Sequence, residues 1–175
     1  HRQLLAHTDE TPGLRTRLEA LEGAGQTVVI LGRGEEVCGL IALADTPRPE
    51  ARQALADLRA RGVERLVMLT GDNTATGRAI AEQVGIDEVR AELLPADKLA
   101  AVEDLVERYG TVAMVGDGVN DAPAMARASF GVAMGAVGSD AAIETADVAL
   151  MTDDLSRLPW LVAHGRRTVA VIQQN

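Results

Sequence analysis

The densest set of potential ligands in this chain is Gly116-Asp117-Gly118-Val119-Asn120-Asp121, which follows the apolar run Thr111-Val112-Ala113-Met114-Val115. Two carboxylates and a carboxamide in so short a loop suit a hard cation. Mg2+ takes oxygen ligands, often one or two carboxylates with phosphate oxygens completing the shell. Gly116 and Gly118 let the backbone approach a ligand closely. The plain alternative is a capped turn, with Asn120 or Asp121 closing the next helix. Acid this dense repels itself unless a cation compensates.

A second cluster, Leu69-Thr70-Gly71-Asp72-Asn73, follows another apolar run. Thr70 offers a hydroxyl, and Gly71 and Asp72 offer backbone N–H groups at a helix start, where an anion is favoured. The alternative is simple capping by Asp72 or Asn73. The third element is Lys98, in Leu93-Leu94-Pro95-Ala96-Asp97-Lys98. A cation at a helix start runs against the dipole, although a solvated lysine is the plain reading of one such residue. Together the groups suit phosphoryl transfer: a hydroxyl and amides to grip phosphate, a lysine to balance its charge, and carboxylates for Mg2+. Such chemistry needs mainly positioning and electrostatics. The set lacks a nucleophile or a water-activating base.

The elements that position these clusters alternate. A polar helix is expected from about Pro12 to Leu21, closed by Gly23 or Gly25. Two strands follow within Gln26–Leu43, around a turn at Gly32-Arg33-Gly34. Pro47 and Pro49 punctuate the chain and mark a boundary between a small first piece and the main one. Helices are then expected at Glu50–Arg61, Thr74–Val84, Ala96–Tyr109, Asp121–Ala128, Ser139–Thr145 and Asp154–Asn175, the last broken at Pro159. Strands are expected at Val63–Thr70, Thr111–Val115, Phe130–Ala133 and Val148–Met151, the first two buried. Strand and helix in alternation, with continuous apolar strands, imply an α/β fold. Its parallel sheet is covered on both faces, and ligands sit beyond the carboxyl ends of the strands. Both reactive loops fall there.

Composition excludes several classes. The chain has 175 residues, 47% of them apolar, so one domain of ordinary size can bury a core. Aromatics are 2% and the formal net charge is −9, which argues against base stacking and bulk attraction to nucleic acid. Cys38 is the sole cysteine, read as a small hydrophobe in a strand, so no internal disulfide exists. No run reaches the ~18 apolar residues of a membrane span. His1, His7 and His164 are scattered and form no metal-binding pattern. There is no signal peptide and position 1 is not Met, as though the chain were cut from something longer.

Met68-Leu-Thr-Gly-Asp-Asn73, followed by Val115-Gly-Asp-Gly-Val-Asn-Asp-Ala-Pro-Ala-Met125 and its continuation to Gly135, resembles the phosphorylation domain of P-type ATPases. These are ion pumps of the haloacid dehalogenase superfamily. Asp45-Thr-Pro-Arg-Pro-Glu-Ala51 resembles their hinge between nucleotide-binding and phosphorylation domains. Ala133–Leu155 is similar to the heavy-metal branch, nearer its zinc, cadmium and cobalt pumps than its copper pumps. His164–Asn175 resembles the lead-in to a membrane helix, with Arg166 and Arg167 fitting the positive-inside bias.

The resemblance implies a three-layer, Rossmann-like haloacid dehalogenase sheet. It also implies a small β-containing remnant of the nucleotide-binding domain over 1–44, the phosphorylation domain over 45–160 and the membrane lead-in over 161–175. It implies that Thr70 holds the phosphoryl group, that Gly71 and Asp72 organise phosphate and nucleotide, and that Lys98 neutralises the phosphoryl. Asp117 is then the principal Mg2+ ligand, and Asn120 and Asp121 bind phosphate and support the metal. Gly116 and Gly118 let the loop fold over the phosphate, and Asp45 and Arg48 belong to the hinge.

The substrate implied is ATP, and the remaining partners are those of a pump at the cytoplasmic side of a membrane. They are an upstream DKTGT segment with the phosphorylated aspartate, an actuator domain, membrane helices and a heavy-metal cation bound elsewhere. DKTGT does not occur here. Its strand is central in this superfamily, so a gap is expected between the Val63–Thr70 and Thr111–Val115 strands. A soluble Mg2+-dependent phosphatase of the same superfamily and a non-catalytic module are the competing readings.

Overall fold

A computed structural model of the chain describes residues 13–24, 26–33, 36–43, 46–117, 120–135 and 140–174. Gly118 and Asp45 lie outside the described residues, as do the expected helix starts at Pro12 and Ser139, the alternative helix-closing residue Gly25 and the expected turn residue Gly34.

The first piece is a helix on a hairpin. Helix α1 (Leu14–Gly23) buries Leu18 and packs against β1 (Thr27–Arg33), which pairs antiparallel with β2 (Glu36–Leu43). Gly32 and Arg33 are strand residues, not a turn, because the ladder continues to the Arg33–Glu36 pair. The register shifts between the Leu31–Gly39 and Gly32–Val37 pairs, making Cys38 the extra residue of a bulge. Cys38 is accordingly exposed rather than a core hydrophobe.

The main piece runs α2 (Ala51–Ala60), β3 (Val67–Leu69), α3 (Thr74–Val84), β4 (Glu88–Arg90), α4 (Pro95–Tyr109), β5 (Ala113–Gly116) and α5 (Ala122–Met125). It ends with β6 (Phe130–Met134), α6 (Asp140–Thr145), β7 (Val148–Leu150) and α7 (Arg157–Gln174). Local chemistry sets several bounds. Asn73 has extended backbone and its side chain accepts from Thr76 N at 2.9 Å, opening α3. Gly85, at φ 83, closes it in the left-handed conformation that glycine adopts freely. Pro95 opens α4, where its missing N–H costs nothing. Pro159 does not break α7. It lies in the first turn, where no intrahelical donor is required, and is buried there.

All strand pairs of this piece are parallel, but they form two ladders: β3–β4, and β5–β6–β7. Among the described residues β3 and β5 share no ladder, so the expected gap is present. Strands β3 and β5 are less buried than their apolar sequences suggest. β3 is half-buried throughout, and β5 alternates exposed and half-buried residues, with Val115 36% exposed. Among the described residues each pairs on one side only. β6 is the central strand and is covered on both faces. Val132 and Met134 join Leu58 and Leu158 in one core, while Ala133 joins Met125 in another. This alternation is the period-2 signature of a strand between helix layers.

Candidate functional site

The loop after β3 is held by the segment after β4. Thr70 N donates to Arg90 O at 3.0 Å, Leu93 N donates to Thr70 O at 3.1 Å, and Glu92 N donates to Asp72 O at 2.8 Å. Within the loop, Thr70 Oγ1 donates to Asp72 Oδ2 at 2.7 Å and accepts from Asp72 N at 3.1 Å. Asp72 therefore turns back on Thr70, and Asn73 does the helix capping. Gly71 is close to the Leu93 carbonyl, which would stand 3.4 Å from any Cβ placed on it.

The loop after β5 is held from α4. Lys98 Nζ lies 2.8 Å from Asp121 Oδ1, with the two side chains 20% and 14% exposed. Asp121 occupies the cap position of α5 but makes no side-chain cap bond, because its carboxylate is turned to Lys98. A Cβ on Gly116 would meet Asp121 Oδ2 at 2.7 Å and Asp121 Cβ at 2.9 Å. Gly116 is thus glycine because Asp121 folds back over it. Asp117, one residue beyond β5, and Asn120 are exposed.

The structure therefore joins Thr70 with Asp72, and Lys98 with Asp121 and Gly116. Leu93 to Pro95 connects the two groups, since Leu93 bonds Thr70 and Leu94 N donates to Asp97 Oδ2 at 2.9 Å at the start of the helix carrying Lys98. Among the described residues no three His, Cys, Asp or Glu side chains cluster as a metal cage. Asp117 and Asp121 supply carboxylate oxygens, the donor type that Mg2+ takes one or two at a time alongside phosphate oxygens and water.

Three residues here carry no motif signal. Arg90 Nε donates to Glu88 at 2.8 Å, Nη2 to Asp104 at 2.7 Å and Nη1 to Ala101 O at 3.3 Å, fixing α4 on β4. Burial lowers the Arg90 pKa, but the hydrogen bonds to Glu88 and Asp104 outweigh it and raise the value overall. The same guanidinium, ahead of Arg108, holds the Asp104 carboxyl below its usual range. Gly77 lets α3 close on Val89 and Thr70. Glu92 braces the loop after β3. Their roles depend on partners distant in sequence, which residue type alone does not reveal.

The haloacid dehalogenase-like hydrolase family matches residues 1–129, a span that contains all three clusters. The chain belongs to that family. This haloacid dehalogenase-like chain is 45% identical over 174 residues to a probable cadmium-transporting ATPase of Listeria monocytogenes, covering 99% of this chain and 24% of that protein. It is 51% identical over 158 residues to a manganese-exporting P-type ATPase of Mycobacterium tuberculosis, covering 90% and 22% respectively. Its fold is similar to the crystal structure of a zinc-transporting PIB-type ATPase, with TM-score 0.78 and 46% identity, covering 94% of this chain and 26% of that one. The chain spans about a quarter of the length of these relatives. Among the described residues no helix is long and apolar enough to cross a membrane.

Proposed function

We propose that this chain is the catalytic cytoplasmic segment of an ATP-driven heavy-metal cation pump, working through an aspartyl-phosphate formed on a residue outside these 175. The observation that carries the reading is the Lys98–Asp121 pair at 2.8 Å. It gathers a lysine from the start of α4, the helix after β4, and the acidic loop after β5, segments that follow the carboxyl ends of parallel strands, where α/β folds bind ligands. The likeness to cadmium, manganese and zinc pumps supports the choice of a pump over a soluble phosphatase.

In this reading Asp117 holds Mg2+, with Asp121 supporting it and Asn120 contributing to phosphate binding. The cation supplies charge neutralisation between phosphate oxygens. The Thr70 hydroxyl and the Gly71 and Asp72 amides grip the phosphoryl group, and Asp72 also organises the nucleotide. Lys98 offsets negative charge on the transferring oxygens, and Asp121 keeps its ammonium oriented between turnovers. Arg48 lies at the expected hinge and is ion-paired with Asp153 beyond β7, which ties that end of the hinge to the segment after β7. The tail of α7, with Arg166 and Arg167, leads toward the membrane.

The test uses inside-out vesicles carrying the complete pump. ATP-dependent uptake of cadmium, zinc or manganese is expected, with loss of both uptake and phosphoenzyme in Asp117→Asn. Vesicles that hydrolyse simple phosphate esters but move no cation would overturn the reading in favour of a phosphatase. Absence of any ATP-dependent phosphorylation would overturn it in favour of a non-catalytic module.

A further inference from the structure

Glu92 is the one non-glycine residue with positive φ among the described residues, at φ 60. Glycine takes this conformation without strain, while a side chain there is held only when its surroundings over-determine it. The surroundings are specific. The Glu92 N–H donates to Asp72 O at 2.8 Å. Its Oε1 accepts from Thr74 Oγ1 at 2.9 Å, with a longer contact from Thr74 N at 3.4 Å. The next residue, Leu93, donates its N–H to Thr70 O at 3.1 Å. Backbone and side chain of one strained residue thus engage Asp72 and Thr74, on either side of Asn73.

We propose that Glu92 is a positioning residue: a clamp that fixes the Thr70–Thr74 loop against the end of β4, and with it the Thr70 hydroxyl and the first amides of α3. The inference rests on the reading of that loop as the phosphoryl grip. Helix capping alone does not account for Glu92, because Asn73 already caps α3 through Thr76 N. The left-handed backbone is what directs the carboxylate over the loop.

The experiment measures single-turnover phosphorylation by radiolabelled ATP in the complete pump, with thermal stability alongside. Glu92→Gly relaxes the backbone and deletes the carboxylate. Its stability is expected to equal or exceed the parent's, while the phosphorylation rate falls about tenfold, since small misplacements of gripping groups are costly. Glu92→Ala loses both rate and stability. Glu92→Gln, whose Oε1 still accepts from Thr74, keeps a rate within about threefold of the parent. Thr74→Val added to Glu92→Gly brings no further loss, because the two act as one contact.

A parental rate in Glu92→Gly, or full multiplication of the Glu92 and Thr74 effects, overturns the clamp. Thr70→Ala and Asp117→Asn are run beside these variants. If they abolish phosphorylation while Glu92→Gly keeps the parental rate, the clamp alone fails. If they too retain the parental rate, the functional reading fails with it.

Discussion

Lys98 and Asp121 meet at 2.8 Å, and the same Asp121 carboxylate fills the space a side chain on Gly116 would need. One ion pair therefore links segments that follow two parallel ladders which, among the described residues, share no strand-to-strand hydrogen bonds. It also shapes the loop in which Asp117 sits. The pair is largely enclosed, which makes its charges sensitive to loss of either partner.

Removing one member should destabilise the chain. Fully buried pairs cost about 3–5 kcal/mol when broken, and the residual exposure here reduces the expected loss in Asp121→Leu or Lys98→Met to about 2 kcal/mol. Lys98→Met combined with Asp121→Leu should recover most of the loss, because no charge is left stranded. Urea unfolding of the four proteins checks this. Two single losses that simply add in the double variant would show that the pair is not coupled.

Gly116→Ala tests the packing of Asp121. A methyl group would stand 2.9 Å from Asp121 Cβ, so the aspartate or the end of β5 must move. The expected loss is about 1–3 kcal/mol, as for other overpacked sites. The Lys98–Asp121 contact should open as well, visible as a shifted Lys98 Nζ resonance by NMR. An unshifted resonance would mean that the loop absorbs the methyl group elsewhere.

Gly77→Ala opposes two effects. Alanine gains roughly 1 kcal/mol of helix propensity over glycine. Its methyl would lie 3.0 Å from Val89 Cγ1 and 3.3 Å from Thr70 Cγ2, and β-branched side chains have little rotamer freedom to yield. Packing should win, leaving a net loss of about 1 kcal/mol. A raised melting temperature in this variant would reverse the sign.

Asp87 predicts an acid limb to stability. Its Oδ2 accepts from Leu66 N at 2.8 Å and its Oδ1 from Arg59 at 2.6 Å. The Leu66 hydrogen bond lowers its pKa; burial opposes this, and Arg59 then adds to the lowering, leaving the folded value below 3.8. A carboxyl depressed in the folded state stabilises above the unfolded pKa and loses that contribution as pH falls through the folded one. Asp87→Asn should therefore be less stable than the parent at neutral pH, with the gap closing below pH 3.8. A gap independent of pH would assign the loss to geometry rather than charge.

Much of the fold was legible because its signals are local. Asn73 and Gly85 bound α3 by capping and left-handed closure, interactions within one turn of the helix. The alternation of strands and helices followed from side-chain periodicity, and the reactive loops fell at the strand ends as parallel topology requires. Misjudged features were those that depend on what lies across space. Strands β3 and β5 are apolar in sequence yet only partly covered, since among the described residues each pairs on one side. The hairpin reversal shifted beyond Gly32 and Arg33 because pairing with β2 extends that far. Pro159 stayed within α7 because its position in the first turn removes its penalty.

From its own order of residues this chain determined its helices and strands, the two acidic and hydroxyl-bearing loops, and the family to which it belongs. Those rest on contacts within a few residues and on motif spacing. Only the tertiary structure decided that Lys98 faces Asp121, 23 residues away, that Asn73 rather than Asp72 caps α3, and that Glu92 is held left-handed over the Thr70 loop. A lysine's charge acts on whichever carboxylate the packing of α4 and β5 brings within reach, and that distance is not written in any single segment.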